Sequence, residues 1–366
     1  MPPVALVLPA LYAALTVVRL VLAVRALRAE TTPPNPPGAA AILQPILSGD
    51  PELAPTLRRN LPLTGQHHLY WLVDDDDPAG QAAAAIDHPN VTVLTAPGPR
   101  DGENPKVAKL DRAFSQVTEP VTAVLDDDTV ITPESFTRLL AALAHADLVT
   151  GLPVFVSQST IYERFLGGFV NGNALLTYLP AHAAGAQHTI NGMIYAARTA
   201  TLRDLGGFHA IRAALTDDYA IAQLFERAGR RVVQTPVCVH VRMTIRDAAH
   251  CARVLRRWFV FANRYLRDNR GPWMTAMVAL PSILPLTGFL LGLGWPWLAL
   301  LAAKAVANRA LLHRAARQPT GALDLIFEML ADTLSPLFYL SALVRPARIR
   351  WRSRQIEMDG ERIRYR

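Results

Sequence analysis

Cysteine is nearly missing from this chain: Cys238 and Cys251 are the only two in 366 residues. Two thiols give no disulfide framework, and a metal-thiolate site needs more of them. Lysine is scarce as well, with three residues among 37 basic side chains. The ten histidines are scattered without metal-ligand spacing and receive no catalytic role. No aromatic–basic stacking patch and no zinc-finger spacing is present, which excludes nucleic acid as a partner. No internal repeat is visible. What the chain has in excess is apolar side chains, 51% of the sequence, with a mean hydropathy of +0.18, concentrated at the two ends. The formal net charge of +7 admits an anionic membrane surface or an anionic substrate.

Residues 4–24 are apolar apart from Arg19, and are long enough to span a bilayer with Arg19 snorkelling from near the helix end. A cleaved signal peptide would need a basic region ahead of the apolar run and a small-residue cleavage site behind it, so a retained anchor over 1–30 is expected. The Pro-rich stretch 31–38, TTPPNPPG, reads as a stiff linker. A second apolar block, 274–303, is interrupted by Pro281, Pro285 and Pro296 and reads as one kinked span or a helical hairpin. A third, 322–344, carries Asp324, Glu328 and Asp332 on one helical face, which suits an interfacial helix or a span packed against protein. Membrane-spanning or interfacial helices are therefore expected over 266–345. The tail 346–366, with Arg345 just before it and Arg348, Arg350, Arg352 and Arg354 within it, is basic. With Arg25 and Arg28 after the first span, it places the central domain and the tail in the cytoplasm by the positive-inside rule. The expected location is the cell (inner) membrane, multi-pass, with an even number of crossings after the central domain.

Between 39 and 265 short apolar runs alternate with helical patterns. Strands are expected at 40–46, 68–73, 91–95, 121–125, 147–152 and 232–241, and helices at 51–60, 78–86, 106–117, 133–145 and 217–228. That alternation predicts an α/β domain with a mostly parallel sheet covered on both faces. Two aspartate runs fall at strand ends, Asp74–Asp77 after HLYWLV and Asp126–Asp128 after VTAVL. The carboxyl ends of parallel strands open into the crevice where such sheets bind ligands. A nucleotide-sugar donor brings a diphosphate that needs a divalent cation or basic groups, and magnesium or manganese is satisfied by one or two carboxylates plus waters. Asp126 and Asp128, two apart, offer such a pair, and Asp74 or its neighbour Asp76 is placed for the base or ribose. Neighbours in each run could substitute for one another. Lys106 and Lys109 precede the second run and suit a phosphate or base contact, although a solvated helix face would also accept them. Asp218, opening a helix in TDDYAIAQLFERAG, is the candidate general base, with a helix N-cap as its structural alternative. Arg257 and Trp258 end a helix-like run 246–258; the guanidinium suits a leaving diphosphate, and the pair equally suits a membrane-interface anchor.

The order Asp74, Asp126, Asp218 and Arg257–Trp258 resembles the D, D, D, (Q/R)xxRW pattern of the family 2-type, GT-A-fold membrane glycosyltransferases, most closely the ceramide glucosyltransferase group. NPK at 104–106, GLP at 151–153, GM at 192–193, GGF at 206–208 and DDY at 217–219 add to the likeness, which runs from about 42 to 265. The resemblance implies a GT-A (Rossmann-like) domain that transfers a hexose from a UDP-sugar to a lipid hydroxyl with inversion, aided by Mg or Mn, and makes a β-glycolipid at the cytoplasmic membrane face. The family pattern falls on Asp74, Asp126, Arg257 and Trp258 as donor contacts and on Asp218 as base; the residue reading above adds Asp76 and Lys106 to the donor contacts and gives Asp126 and Asp128 as metal ligands. One departure is Val254 at the (Q/R) position, with Arg253 and Arg256 nearby. Hopanoid or diacylglycerol acceptors remain open. A processive polysaccharide synthase would need a longer set of C-terminal spans, and a catalytically silent membrane adaptor would not need the complete aspartate set.

Overall fold

The computed structural model describes residues 4–28, 38–269, 271–344, 348–351, 354–359 and 362–365. The expected linker lies outside these apart from Gly38, as do Arg345, Arg352 and other parts of the tail. The chain starts with α1 (Val4–Arg28), β1 (Ala40–Pro45), α2 (Leu53–Arg59), β2 (His68–Asp74), α3 (Pro78–Ala84) and β3 (Val91–Ala96). There follow α4 (Pro105–Phe114), β4 (Val121–Leu125), β5 (Thr129–Val130), α5 (Pro133–Ala141), β6 (Leu148–Phe155), α6 (Ile161–Ala183) and β7 (Ile194–Arg198). The rest is α7 (Thr199–Asp204), α8 (Asp217–Arg227), β8 (Val232–Val241), α9 (Ala248–Asp268), α10 (Pro272–Met274), α11 (Leu280–Leu290), α12 (Gly294–Ala316) and α13 (Ala322–Val344). Three short strands, β9 (Arg348–Trp351), β10 (Arg354–Asp359) and β11 (Arg362–Tyr365), form a separate antiparallel sheet. The chain divides into two compact units, one of 1–31, 152–187 and 245–345, the other of 32–151, 188–244 and 346–366. Helices α6 and α9, which the sequence placed inside a domain of 39–265, thus group with the apolar helices.

The α/β unit is built on the sheet β3-β2-β1-β4-β7-β6-β8-β5. Strands β3, β2, β1 and β4 run parallel, while β7 pairs antiparallel with β4 and β6, and β5 with β8. Successive strand residues point to opposite faces, and both faces are apolar. Ile42, Trp71, Val73 and Leu125 pack with Phe136 and Leu139 of α5 on one side. Leu43, Tyr70, Leu72 and Val124 pack with Leu110 and Phe114 of α4 and with Phe225 of α8 on the other. Burial on both faces is why these strands read as continuous apolar runs. Asp74 is the last residue of β2 and Asp126 directly follows β4, so both expected aspartates stand at the carboxyl end of the parallel half.

In the helical unit the second apolar block is a hairpin. From α10 the chain passes through a π-helical turn, Thr275–Ala279, into α11, then turns at Gly292 and Gly294 (φ 65° and 67°) into α12. Gly288 admits the Trp297 ring, since a Cβ there would lie 2.2 Å from its Cε2. Helix α6 opens with a capping box between Thr160 and Glu163. It meets α13 through Gly168 and Gly172, where added Cβ atoms would fall 2.4 Å from the Phe327 carbonyl oxygen and 2.8 Å from Glu328 Cγ. The acidic stripe of α13 faces protein: Lys304 Nζ reaches Glu328 at 3.0 Å and Asp332 at 2.7 Å, and Arg309 Nε reaches Glu328 at 2.7 Å. Arg19 does not snorkel. It is buried and donates to the Leu176 carbonyl (2.7 Å) and the Thr177 hydroxyl (3.2 Å), because α6 lies alongside and offers acceptors. Helix α9 continues to Asp268, so Arg257 and Trp258 sit in mid-helix rather than at an end. Among the described residues, three helical segments are long and apolar enough to cross a membrane: Leu6–Arg28, Pro272–Leu290 and Ala322–Val344.

Candidate active site

Asn104 fixes the start of the site. Its side chain caps α4, accepting from the Lys106 and Val107 amides, and its amide group donates to the Ala214 and Leu215 carbonyls. The first turn of α4 is thereby tied to the loop that leads into α8. From that turn Lys106 extends its ammonium to Asp126 (2.7 Å), Asp217 (2.8 Å) and the Gly192 carbonyl (2.9 Å). One buried cation thus joins the end of β4, the start of α8 and the turn before β7. Asp218 stands in the same first turn of α8, held by the Tyr219 amide at 2.8 Å. Gly192 is required by close approach: a Cβ there would come within 3.1 Å of Asp218 Cβ.

Three carboxylates, Asp126, Asp217 and Asp218, surround this one ammonium. Burial, reinforced by the Asp217 charge, pushes Asp218 up to about 7. Burial also raises Asp126, against the pull of Lys106. For Lys106 burial works the other way, yet Asp126 and Asp217 hold its ammonium protonated well above the usual lysine range. Tyr195, buried at the same place on β7, is raised by burial and then by Asp217, and its hydroxyl has no hydrogen-bond partner among the described residues. The cluster carries more negative charge than positive in a buried setting, and such a setting favours a further cation.

The second aspartate run splits by direction. Asp127 turns inward and accepts from the Leu47 amide at 2.9 Å, whereas Asp126 and Asp128 are both partly exposed. The first run splits too. Asp77 caps α3 and accepts from the Ser48 amide, Asp74 is fully buried against Lys109 at 3.0 Å, and Asp75 and Asp76 are exposed. The Asp76 carboxylate lies against Gly98 in the loop after β3. Among the expected donor residues, then, Asp126 and Lys106 meet each other and Asp218 is close by. Asp74 is engaged by Lys109, whereas Asp75 and Asp76 of the same run are exposed. Arg257 and Trp258 belong to the helical unit, where the Trp258 ring stacks on Phe169 at 6.3 Å. Val254 is buried there, which accounts for an apolar side chain at the departing (Q/R) position. The sequence had not singled out Asn104, Asp217, Gly192 or Tyr195 as site residues. NPK, DDY and GM were visible signals for the first three; for Tyr195, a lone residue in an unassigned strand, there was none.

This fold, with acidic and basic side chains gathered at its strand ends, is of the GT-A type. The chain belongs to glycosyl transferase family 21, whose sequence profile matches residues 4–363. Among curated proteins no relative matches. Among solved structures the chain is similar to the mannosyltransferase PcManGT from Pyrobaculum calidifontis, in complex with GDP-Man and Mn2+. The TM-score is 0.53 at 16% identity, covering 92% of this chain and 98% of that one. It is also similar, at a TM-score of 0.35 and 16% identity, to glucosyl-3-phosphoglycerate synthase from Mycobacterium tuberculosis in complex with Mn2+ and UDP-glucose, over 61% of this chain and 78% of that one.

Proposed function

We propose that the protein transfers a hexose from a UDP-sugar to a membrane-lipid hydroxyl, ceramide-like in its chemistry, with inversion to a β-glycolipid at the cytoplasmic membrane face. The observation that carries this reading is the convergence of Asp126, Asp217 and the Gly192 carbonyl on Lys106, with Asp218 beside them. Asp218 removes the proton from the acceptor hydroxyl as its oxygen attacks the anomeric carbon. The bond from that carbon to the diphosphate breaks, and the nucleoside diphosphate leaves with its electron pair. A carboxyl raised to about 7 is well matched to accepting that proton near neutrality. Lys106 holds the two sides of the site together and presents positive charge beside Asp126. Arg257 would receive the leaving diphosphate and Trp258 the acceptor or the membrane interface. Asp76 is better exposed than Asp74 for the base or ribose.

Asp126 and Asp128 would hold magnesium or manganese. Their shared exposure fits, and so does the excess of buried negative charge around Lys106. Among the described residues no three His, Cys, Asp or Glu side chains group as a metal cage. Two carboxylates completed by waters and the donor's own diphosphate are a usual arrangement for these ions. The ion, when bound, neutralises the diphosphate.

The deciding experiment is release of nucleoside diphosphate by the detergent-solubilised protein. UDP-glucose, UDP-galactose, UDP-glucuronate, UDP-N-acetylglucosamine and GDP-mannose are supplied with Mg or Mn, with and without ceramide, diacylglycerol and hopanoid acceptors. Acceptor-dependent release from one UDP-sugar is the expected result. Release from GDP-mannose alone would replace the donor. Binding without release in every combination would favour a silent adaptor, and the absence of binding would remove the nucleotide-sugar reading.

A further inference from the structure

Helices α1 and α12 each finish in a basic turn, Arg25 and Arg28 on one, His313 and Arg314 on the other. Between these two ends lies a cavity of about 140 Å³, lined by Val24, Leu27, Arg28, Leu311 and Arg314. Its walls are apolar and its only charged lining groups are two guanidiniums. Neither helix contains an aspartate or glutamate, and among the described residues neither Arg28 nor Arg314 has a carboxylate partner. The buried cations of the same two helices each have a partner within the bundle: Arg19 a carbonyl and a hydroxyl, Lys304 and Arg309 the carboxylates of α13. Basic residues commonly complement a helix C-terminal dipole. That accounts for the charges, but not for a cavity that brings one from each helix to the same apolar recess. A further cation stands at this end. Arg317, the only non-glycine residue with a left-handed backbone among the described residues (φ 53°), closes α12 where glycine is the usual choice.

We infer that this cavity binds the phosphate headgroup of an anionic phospholipid. The Arg28 and Arg314 guanidiniums meet the phosphate oxygens, and Val24, Leu27 and Leu311 pack on the glycerol and first acyl carbons. Guanidinium groups suit phosphate because their paired N–H donors match its oxygens. The volume lies below the roughly 300–1,000 Å³ of sites that enclose a whole small molecule, so the acyl chains remain in the bilayer. Basic pockets between helices on the cytoplasmic side are a recurrent way of holding such headgroups. The inference rests on the reading of the bundle as membrane-embedded with the ends of α1 and α12 at the cytoplasmic face.

The test uses the full chain, purified in detergent and returned to nanodiscs of phosphatidylcholine with or without phosphatidylglycerol. Lipids still attached after gentle re-extraction are counted by native mass spectrometry. Each arginine near anionic lipid is worth about fivefold in binding, so the wild type should retain phosphatidylglycerol over phosphatidylcholine by about thirtyfold. Arg28→Gln together with Arg314→Gln should abolish the preference, and Arg28→Lys with Arg314→Lys should keep most of it. The lysine pair shows that the fold survives substitution at both positions. Equal retention of the two lipids overturns the inference, as does a preference that survives the glutamine pair. Displacement of the lipid by excess inorganic phosphate would mean a free-anion site instead. A chain that stays soluble without detergent would fail at the membrane reading itself, whatever its lipid preference.

Discussion

Two aspartates one position apart, Asp217 and Asp218, are held differently. Asp217 is bound to Lys106 at 2.8 Å, whereas Asp218 accepts from the Tyr219 amide and has its carboxyl raised to about 7. Asp218→Asn should keep donor binding and lower transfer by about 10²–10⁴-fold, the contribution of a positioned proton acceptor, measured as product formed against donor Kd. Unchanged transfer would exclude Asp218 as the base. The base works when deprotonated, so the rate should be full above about 7 and fall as pH falls through that value, the limb vanishing in Asp218→Asn. The same shift has a stability cost. From about pH 4, where the unfolded chain releases this proton, up to about 7, where the folded chain does, stability falls as pH rises. Thermal melting of Asp218→Asn should therefore lose that part of the wild-type pH dependence. Asp126→Ala with Asp128→Ala should abolish the metal dependence of donor binding; a dependence that persists in the double variant would move the metal elsewhere.

Among the elements, α6 and α13 show how far a local reading reaches. The α13 boundaries, 322–344, were legible because apolar residues and an i, i+4 acidic stripe are local signals. Helix α6 was not: Gly167, Gly168, Gly172 and Pro180 lower its helix propensity, and the reason for Gly168 and Gly172 is on another helix. Gly168→Ala should destabilise by about 1–3 kcal/mol, as overpacking does, because backbone rather than a movable side chain blocks the new methyl. Urea unfolding of the solubilised protein would measure it. Lys304→Ala leaves Glu328 and Asp332 buried without their shared cation, a loss of about 3–5 kcal/mol for a broken buried pair. Restoration of stability by adding Asp332→Asn, which leaves Glu328 its Arg309 partner, would assign the loss to charge; no restoration would assign it to packing.

For the molecule as a whole, the expected α/β fold and its parallel strands were legible because each strand is a short run of branched apolar residues ending at a turn or an acidic cluster. Strand β7 was missed: its sequence IYAAR takes strand form by pairing with β4 and β6, which no window of sequence contains. The site was legible to the same extent. Aspartates at strand ends announce themselves, but that Asp74 is taken by Lys109 while Asp76 is exposed depends on α4 packing across β2. The division into two units, with α6 and α9 beside the apolar helices, required the tertiary contacts themselves. If the apolar segments hold the chain in the bilayer, carbonate washing should leave it in the membrane pellet and detergent should release it.

The ion pairs between α12 and α13 also bear on biosynthesis, should both helices be inserted into a membrane. Helix α12 leaves the ribosome first, carrying Lys304 and Arg309, and each such charge at a helix centre costs about 2.5–3.5 kcal/mol on the scale of translocon insertion. The carboxylates that neutralise them, Glu328 and Asp332, are translated later. If α12 enters the bilayer with its neighbours, it would not settle until its successor has emerged, and the two would leave the insertion machinery together as one charge-balanced hairpin. A nascent chain stopped between them would present an unneutralised helix to the quality-control proteases of the membrane.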